Sequence, residues 1–463
     1  MEQLLCHKAT FSDFIYTYIE LSNFAIRIVD TPIFQRLRSL KQLGVCNYIY
    51  QNAVHTRFEH SLGTYHLAKK LLENINKTIK DNNNDDFINN YLDSIKELKH
   101  YFNTHYNGQK RFLDPYICEL IQIAALCHDI GHGPFSHIFD DVFIKITNNN
   151  SLYAKHEYRS EILLKKIIKS DSLLSNIVTD DEITFMCNII NPDININTGF
   201  LYQIVSNNLN GLDVDKYDYL SRDSKILNIG ISFNCYSLIE GIKIIDNIIC
   251  FPEYSLNNIL NLFYIRHYMH RQVYGNNKVI SAQCIITEIL LSLDHILHIS
   301  NSINDMDAFI QLTDDYILNY IKFLYHNLSN NLYSDFTQHI IVAYDLLVQL
   351  TEKHDLYTLI DKIVTVDETL FTVNDIIKLS NTLIDSNDII IFRNKIGYVS
   401  GDKDNPLDNI YTFCFNNIAT KCDKNNITKL LSPIYQEHIT FIFYKKKNDI
   451  IINELKHILF TFH

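Results

Sequence analysis

Glycine and proline are scarce, with 12 and 7 in 463 residues, which excludes collagen-like and Pro-rich linker architectures. The same scarcity favours helices over many short strands joined by tight turns. No two of the ten cysteines form a C-x-x-C spacing, so a zinc-ribbon pattern is missing. Several, such as Cys127 in AALCHD, sit in apolar runs and read as buried free thiols in a reducing compartment. The first residues, MEQLLCHKATFSDF, lack a basic stretch followed by an apolar core and do not read as a signal peptide. No run approaches the roughly 20 apolar residues that cross a bilayer. A basic surplus is also lacking, since 41 Lys and Arg against 53 Asp and Glu leave a net charge of −12. A broad basic surface for tracking a nucleic-acid backbone is therefore not expected, although a local basic pocket for a small phosphate ligand is compatible with this balance. The expectation is a soluble intracellular protein, cytoplasmic or nuclear, without membrane or nucleic-acid partners.

What remains is an ordinary globular composition, 47% apolar and 20% charged, which excludes disorder over most of the chain. The length allows two or three domains, or one large core with a lobe. Asp30-Thr31-Pro32 places capping side chains before a Pro, and Phe34, Leu37, Leu40 and Leu43 then recur at helical spacing, so 24–45 reads as helical. Helical patterns continue over 61–75, 115–128, 158–175, 181–191, 199–225, 235–247 and 256–300. Residues 76–112, with the tract DNNNDDFINN, read as a polar Asn-rich surface insertion, and Asn148-Asn149-Asn150 as a shorter loop. Beyond 300, helices are expected at 306–328 and 336–351. The segments IIIFRNKIGYVS, IYTFCFNN and HITFIFYKKK read as strands. The chain is thus expected to be mainly α, with a helical core over 1–300 and a smaller α/β lobe over 301–463.

The chemistry concentrates in Leu126-Cys127-His128-Asp129-Ile130-Gly131-His132-Gly133-Pro134-Phe135-Ser136-His137. An adjacent His-Asp pair at a helix end can hold one divalent metal through an imidazole nitrogen and a carboxylate oxygen. His132, four residues on, shares that face if the helix persists. Gly131 and Gly133-Pro134 break the helix and allow close approach by a ligand. Two more ligands are needed. His60, in RFEHSLG, is one candidate, or else a helix-start histidine satisfied by the backbone. Asp215, in GLDVDKYDYLSRD, is another, or else part of a solvated acidic face with Asp213 and Asp218.

RFEHSLG, LCHDIGHGPFSH, His156-Glu157 and GLDVDKYDYLSRD, in that order, resemble the HD-domain superfamily of metal-dependent phosphohydrolases. With IRIVDTPIFQRLRSLKQLG and RHYMHRQVYGNNK, the set is similar to the deoxynucleoside triphosphate triphosphohydrolases of the vertebrate SAM-and-HD-domain type. The likeness runs from about residue 12 to about 446. The SAM domain is expected to be absent, because the likeness starts so near Met1, and the Asn-rich insertion departs from the family pattern.

The resemblance implies an HD helical core that hydrolyses a deoxynucleoside triphosphate (dNTP) to deoxynucleoside and inorganic triphosphate, lowering the dNTP pool. It implies His60, His128, Asp129 and Asp215 as metal ligands. Two imidazoles and two carboxylates suit Fe, Mn or Zn, and a second ion such as Mg²⁺ can ride on the triphosphate. It makes His132, His137 and His156 catalytic, with Asp140 orienting His137, the general acid toward the departing 5′ oxygen. Arg57, Lys216 and Arg266 would clamp the triphosphate. Gln42, Leu43, Tyr219, Asp223, His270 and Tyr274 would line the deoxyribose pocket, where a 2′-hydroxyl finds neither space nor a partner.

The family also binds regulatory nucleotides between subunits, which implies GTP or dNTP effectors and a homo-oligomer, dimer or tetramer. Asp30, Gln35 and Arg38 match its guanine-reading positions. Pro252 and Tyr254, however, stand where basic phosphate-holding residues are expected, and the region of Leu238 lacks its Arg, so GTP activation is expected to be weak or lost. The rivals to this reading are another HD-type nucleotide phosphohydrolase and a catalytically silent module binding nucleotides or single-stranded nucleic acid.

Overall fold

A computed structural model of the chain describes all residues except 82–84, 148–150, 330, 399–404, 415–417, 423–433 and 462–463. After a single helical turn at Glu2–Leu5 comes a hairpin, β1 (His7–Asp13) against β2 (Thr17–Ser22), which the sequence reading missed. Ser22 ends the hairpin and caps α1 (Asn23–Val29), its hydroxyl accepting from Ala25 N at 2.9 Å. The expected helix over 24–45 is broken in three places. Thr31 caps a new turn with Pro32 at its first position, the chain tightens into 3₁₀ geometry over Arg36–Ser39, and a second 3₁₀ turn spans Gly44–Tyr48.

Next come α2 (Arg57–Asp81), α3 (Asp85–Ser94), α4 (Lys99–Tyr106) and α5 (Pro115–Cys127). The segment 76–112 is therefore corrected: it is largely helical and contributes to the core. Ile79, Ile88, Leu92, Leu98 and Phe102 are all buried, at spacings that the neighbouring asparagines obscured. The Asn148–Asn150 loop and Asn82–Asn84 lie outside the described residues. Asp114 caps α5 by accepting from Tyr116 N and Ile117 N, and every residue from Tyr116 to Cys127 is buried. This helix packs on α2.

The chain continues through α6 (His156–Ser170), α7 (Asp180–Ile190) and α8 (Val214–Leu227). Asp213 caps α8, and α8 packs on α2, which brings the starts of two helices to the end of α5. The expected helix over 199–225 begins at Val214 in earnest, after a short 3₁₀ turn at Phe200–Gln203. The expected helix over 235–247 is also corrected. β3 (Lys243–Ile245) turns through Asp246-Asn247, both at positive φ, into β4 (Ile248–Pro252). A two-residue Asp-Asn turn between Ile-rich runs is a hairpin signal.

Then follow α9 (Leu256–Met269), α10 (Asn277–Leu297), α11 (Asp314–His326) and α12 (Thr337–Thr351). By length and composition α10 could cross a membrane, contrary to the expectation that no run could, but it is largely buried and packs on α12. The remaining strands are β5 (Thr358–Thr365), β6 (Ile389–Gly397), β7 (Tyr411–Phe413), β8 (Thr420–Lys421) and β9 (Gln436–Tyr444), followed by α13 (Asp449–Phe460). The three expected strand segments are thus found, although their tails at 399–400 and 415–417 lie outside the described residues. β9 runs antiparallel between β5 and β6, while β7 joins β4 in parallel and bridges to β8. The molecule is mainly α with small sheets. One hydrophobic core runs from Leu4 to Phe443, and a smaller one gathers Ile363, Ile376, Ile442 and Leu455. No disulfide joins the ten cysteines.

Candidate active site

Three elements converge at the end of α5. His60 lies in the first turn of α2, His128 and Asp129 follow α5, and Asp215 lies in the first turn of α8. His60 Nδ1 donates to Asp218 Oδ2 at 2.7 Å, and His128 Nδ1 donates to Ala125 O at 2.8 Å. Each hydrogen bond turns the other ring nitrogen toward the carboxylates. His60 Nε2 stands 3.1 Å from Asp215 Oδ1 and 3.5 Å from Asp129 Oδ2. His128 Nε2 stands 3.3 Å from Asp129 Oδ1 and 3.6 Å from Asp215 Oδ1. Both Nε2 atoms are buried without a hydrogen-bond partner. Two imidazole nitrogens facing two carboxylates call for a shared positive charge, and donor atoms of His60, His128 and Asp129 lie within 4.8 Å of one another. The residues present therefore fit a divalent metal. The electrostatics report the same demand for positive charge: burial opposes charge on His60, yet the nearby carboxylates of Asp215 and Asp218 push its pKa up to about 10. Burial likewise opposes charge on Asp129, but His128 and Arg57 hold it well below the usual carboxylate range.

The helix does not persist to His132, as its sharing a face with His128 would require. The chain leaves α5 at Cys127 and turns, and the turn itself brings His132 Nε2 to 3.3 Å from Asp129 Oδ1. His132 and His156 stack with ring centres 3.8 Å apart. The expected pairing of Asp140 with His137 is corrected. Asp140 Oδ2 accepts from His132 Nδ1 at 2.6 Å, and Oδ1 accepts from the buried Arg159. His137 Nδ1 instead meets Asp141 Oδ2, four residues on, at 3.0 Å, at the start of a π-helical turn over Ile138–Phe143. The His137 side chain is 68% exposed, on the open side of the cluster. The Asp141 carboxylate beside it gives its pKa a net upward shift. Burial and the neighbouring His132 keep His156 well below the usual histidine range, hence neutral.

Arg57 is buried, with one guanidinium nitrogen on Asp129 Oδ2 and Nε donating to Ser136 Oγ at 2.9 Å. Lys216 Nζ lies 3.1 Å from Asp213 Oδ2, and Arg266 donates to Gly397 O. Tyr274 OH donates to Asp223 Oδ2 at 2.6 Å, and His55 Nε2 bonds Asp223 Oδ1 at 2.7 Å. Tyr219 and Asp223 share α8 with Asp215. His270 packs edge-on against Tyr274 at 5.0 Å, inside a second π-helical turn, His270–Tyr274, that continues α9. Gln42 N donates to His55 O at 3.0 Å, its Oε1 is buried and unpartnered, and Leu43 is half-buried beside it.

Elsewhere, Gln35 Nε2 donates to Val29 O at 2.8 Å and Gln35 Oε1 accepts from Arg38 Nε at 2.8 Å, beside the exposed Asp30. Arg38 also lies over the Phe58 ring at 3.5 Å.

Sequence reasoning passed over His55, Ser136, Asp141, Arg159 and Asp218. Asp218 was weighed only as surface acid, yet it is fully buried and grips Arg222, four residues on, at 2.9 Å. Its signal was the i, i+3, i+7 spacing of Asp215, Asp218 and Arg222 along one helix.

Two helix starts and a helix end that together frame a His/Asp cluster define the HD class of metal-binding folds. The HD domain family matches residues 57–222 of the chain. The chain is 42% identical over 310 residues to an HD domain-containing protein of Acanthamoeba polyphaga mimivirus, covering 66% of this chain and 63% of that one. It is 28% identical to the deoxynucleoside triphosphate triphosphohydrolase SAMHD1 of Gallus gallus, over 96% of this chain and 73% of the relative. The SAMHD1 homolog of Dictyostelium discoideum is 34% identical over 65% of this chain and 53% of its own length.

Proposed function

We infer that the chain hydrolyses deoxynucleoside triphosphates to deoxynucleoside and inorganic triphosphate, with a divalent metal held by His60, His128, Asp129 and Asp215. The observation that carries this reading is the pair of unpartnered imidazole nitrogens facing two carboxylates. Similarity to triphosphohydrolases along nearly the whole chain supports the substrate. When bound, the metal would supply Lewis-acid polarisation of a phosphoryl oxygen and lower the pKa of water. Fe, Mn and Zn suit the ligand set, with Mg²⁺ accompanying the triphosphate.

The chain's own groups divide the remaining work. His137, exposed and raised by Asp141, delivers a proton to the departing 5′ oxygen. His132 and the neutral His156 contact phosphate, and Asp140 fixes the His132 ring. Arg57, Lys216 and Arg266 neutralise negative charge on the triphosphate. Tyr274 and Asp223, already bonded to each other, close the sugar pocket with Gln42, Leu43, Tyr219 and His270, leaving no room for a 2′-hydroxyl. Asp30, Gln35 and Arg38 form the remnant of a nucleotide site between copies of the chain, with GTP activation weakened by Pro252 and Tyr254. Division of the chain near residue 300 is part of the same proposal, with the main hydrophobic core running across that point and the small second core gathering only residues from Ile360 onward. The test is incubation of purified protein with each dNTP and Mn²⁺, with and without GTP. Release of intact triphosphate sustains the reading, and its absence while orthophosphate accumulates sinks it.

A further inference from the structure

We propose that Asp314, which lies outside the HD domain, is a positioning residue that holds the turn after the His-Asp pair and, through Ser136 and Arg57, sets Asp129. The reaction it serves is the one proposed above; the geometry stands by itself. Asp314 sits in the first turn of α11 and is 1% exposed. Its two oxygens accept from backbone amides of two distant segments, Oδ1 from Phe135 N at 2.6 Å and Oδ2 from Lys41 N at 2.9 Å.

The turn it grips is strained. Phe135 and Ser136 are consecutive non-glycine residues at φ 61° and 58°. Left-handed backbone is unfavourable for residues that carry a Cβ, and it persists at functional sites only where the surroundings over-determine it. The surroundings do so here. Ser136 Oγ donates to Lys41 O at 2.8 Å, which closes a hydrogen-bonded ring through residues 41, 135–136 and 314. Gly44, itself at φ 52°, backs the turn so closely that a Cβ there would stand 2.9 Å from Phe135 O. Arg57 enters the ring through its Nε on Ser136 Oγ, and its other arm reaches Asp129. A second clamp comes from the same segment: Leu312 O accepts from Arg36 Nε at 2.9 Å, and Arg36 donates to His132 O at 2.8 Å. The stretch 312–314 therefore braces both ends of the loop from His132 to Ser136, which neither the HD motif nor the spacing of its residues discloses.

The test uses Asp314→Asn, Ser136→Ala and the double variant of the full chain. Asn keeps the size of Asp but turns an NH₂ toward one of the two amides. In metal-free protein, hydrogen exchange at Phe135 and Lys41 should quicken about tenfold or more in Asp314→Asn, with α10 and α12 unchanged. With metal saturating, each single variant should lose roughly 10–100-fold in kcat, the range for groups that orient metal ligands. KM should stay within about twofold, and the double variant should be no worse than the poorer single. Additive losses, or unchanged exchange at Phe135, overturn the proposal. If the wild type releases no triphosphate, the proposed reaction fails and Mn²⁺ affinity decides instead. A fall of about tenfold in Asp314→Asn sustains the positioning role, and unchanged affinity overturns it. Should Asp314→Asn not fold, Ser136→Ala provides the same readouts with α11 intact.

Discussion

His132 Nδ1 donates to Asp140 Oδ2 across 2.6 Å, and Arg159 closes on the other oxygen of the same carboxylate. The three groups form a buried ion cluster directly behind the ring that stacks on His156. Burial opposes charge on Asp140, but Arg159 and His132 drive its pKa far below the usual carboxylate range. A depressed carboxyl contributes stability that is present above its unfolded pKa, near 4, and is lost as pH falls toward the folded value. Asp140→Asn should therefore cost about 3 kcal/mol at pH 7, by leaving Arg159 short of its counter-charge. Urea unfolding at a series of pH values checks this. The gap to wild type should narrow steadily below about pH 4, and a gap independent of pH would contradict the account.

Metal content follows from the geometry around His60 and His128. His128→Ala and Asp129→Ala should lose bound Mn²⁺ and turnover together, measured by metal analysis on folded protein. Asp218→Asn should keep the ligands but weaken affinity by roughly 10–100-fold, because Asp218 fixes which His60 nitrogen faces the ion. Full activity in a metal-free variant would sink the metal assignment.

Sugar discrimination is expected to depend on the bond between Tyr274 and Asp223. Tyr274→Phe removes the hydroxyl and frees one Asp223 oxygen for a second sugar hydroxyl. The ratio of kcat/KM for dATP over ATP should fall by about tenfold, equivalent to about 1.4 kcal/mol. An unchanged ratio would place the discrimination elsewhere.

Glu119 lines a cavity of about 650 Å³ near the other end of α5 from His128. Burial pushes its carboxyl up to about 7, against hydrogen bonds from Ser22 and Tyr65. A raised carboxyl contributes stability that is full below the unfolded pKa, near 4.3, and is lost as pH rises through about 7. Glu119→Gln mimics the protonated form. It should match wild type at pH 4 and exceed it by about 3 kcal/mol at pH 8, read by chemical denaturation. Equal stability at pH 8 would contradict the assignment.

The helical core was legible because it rests on local signals, as was the His128-Asp129 pair, whereas His60 and Asp215 were named as ligands only through the resemblance. Asp114-Pro115 announces α5, and His128-Asp129 ends it. The three late strands were legible from runs of Ile, Phe and Tyr. The partners of the ligands were not, because they come from distant segments or depend on them. His137 could pair three or four residues on, and the spacing alone does not choose between Asp140 and Asp141; the structure pairs it with Asp141, because His132 and Arg159 from other segments occupy Asp140. Asp314 meets Phe135 across 179 positions of sequence. The segment 76–112 failed for a compositional reason, since its asparagines mask the helical spacing of Ile88, Leu92 and Phe102.

The most direct test of the proposed reaction is hydrolysis of a dNTP in ¹⁸O-water with Mn²⁺, followed by mass spectrometry of both products. Attack at the α-phosphorus, with a proton delivered to the 5′ oxygen, predicts one ¹⁸O in an intact triphosphate and none in the deoxynucleoside. Orthophosphate with a deoxynucleoside diphosphate, or ¹⁸O in the 5′-hydroxyl, would contradict it.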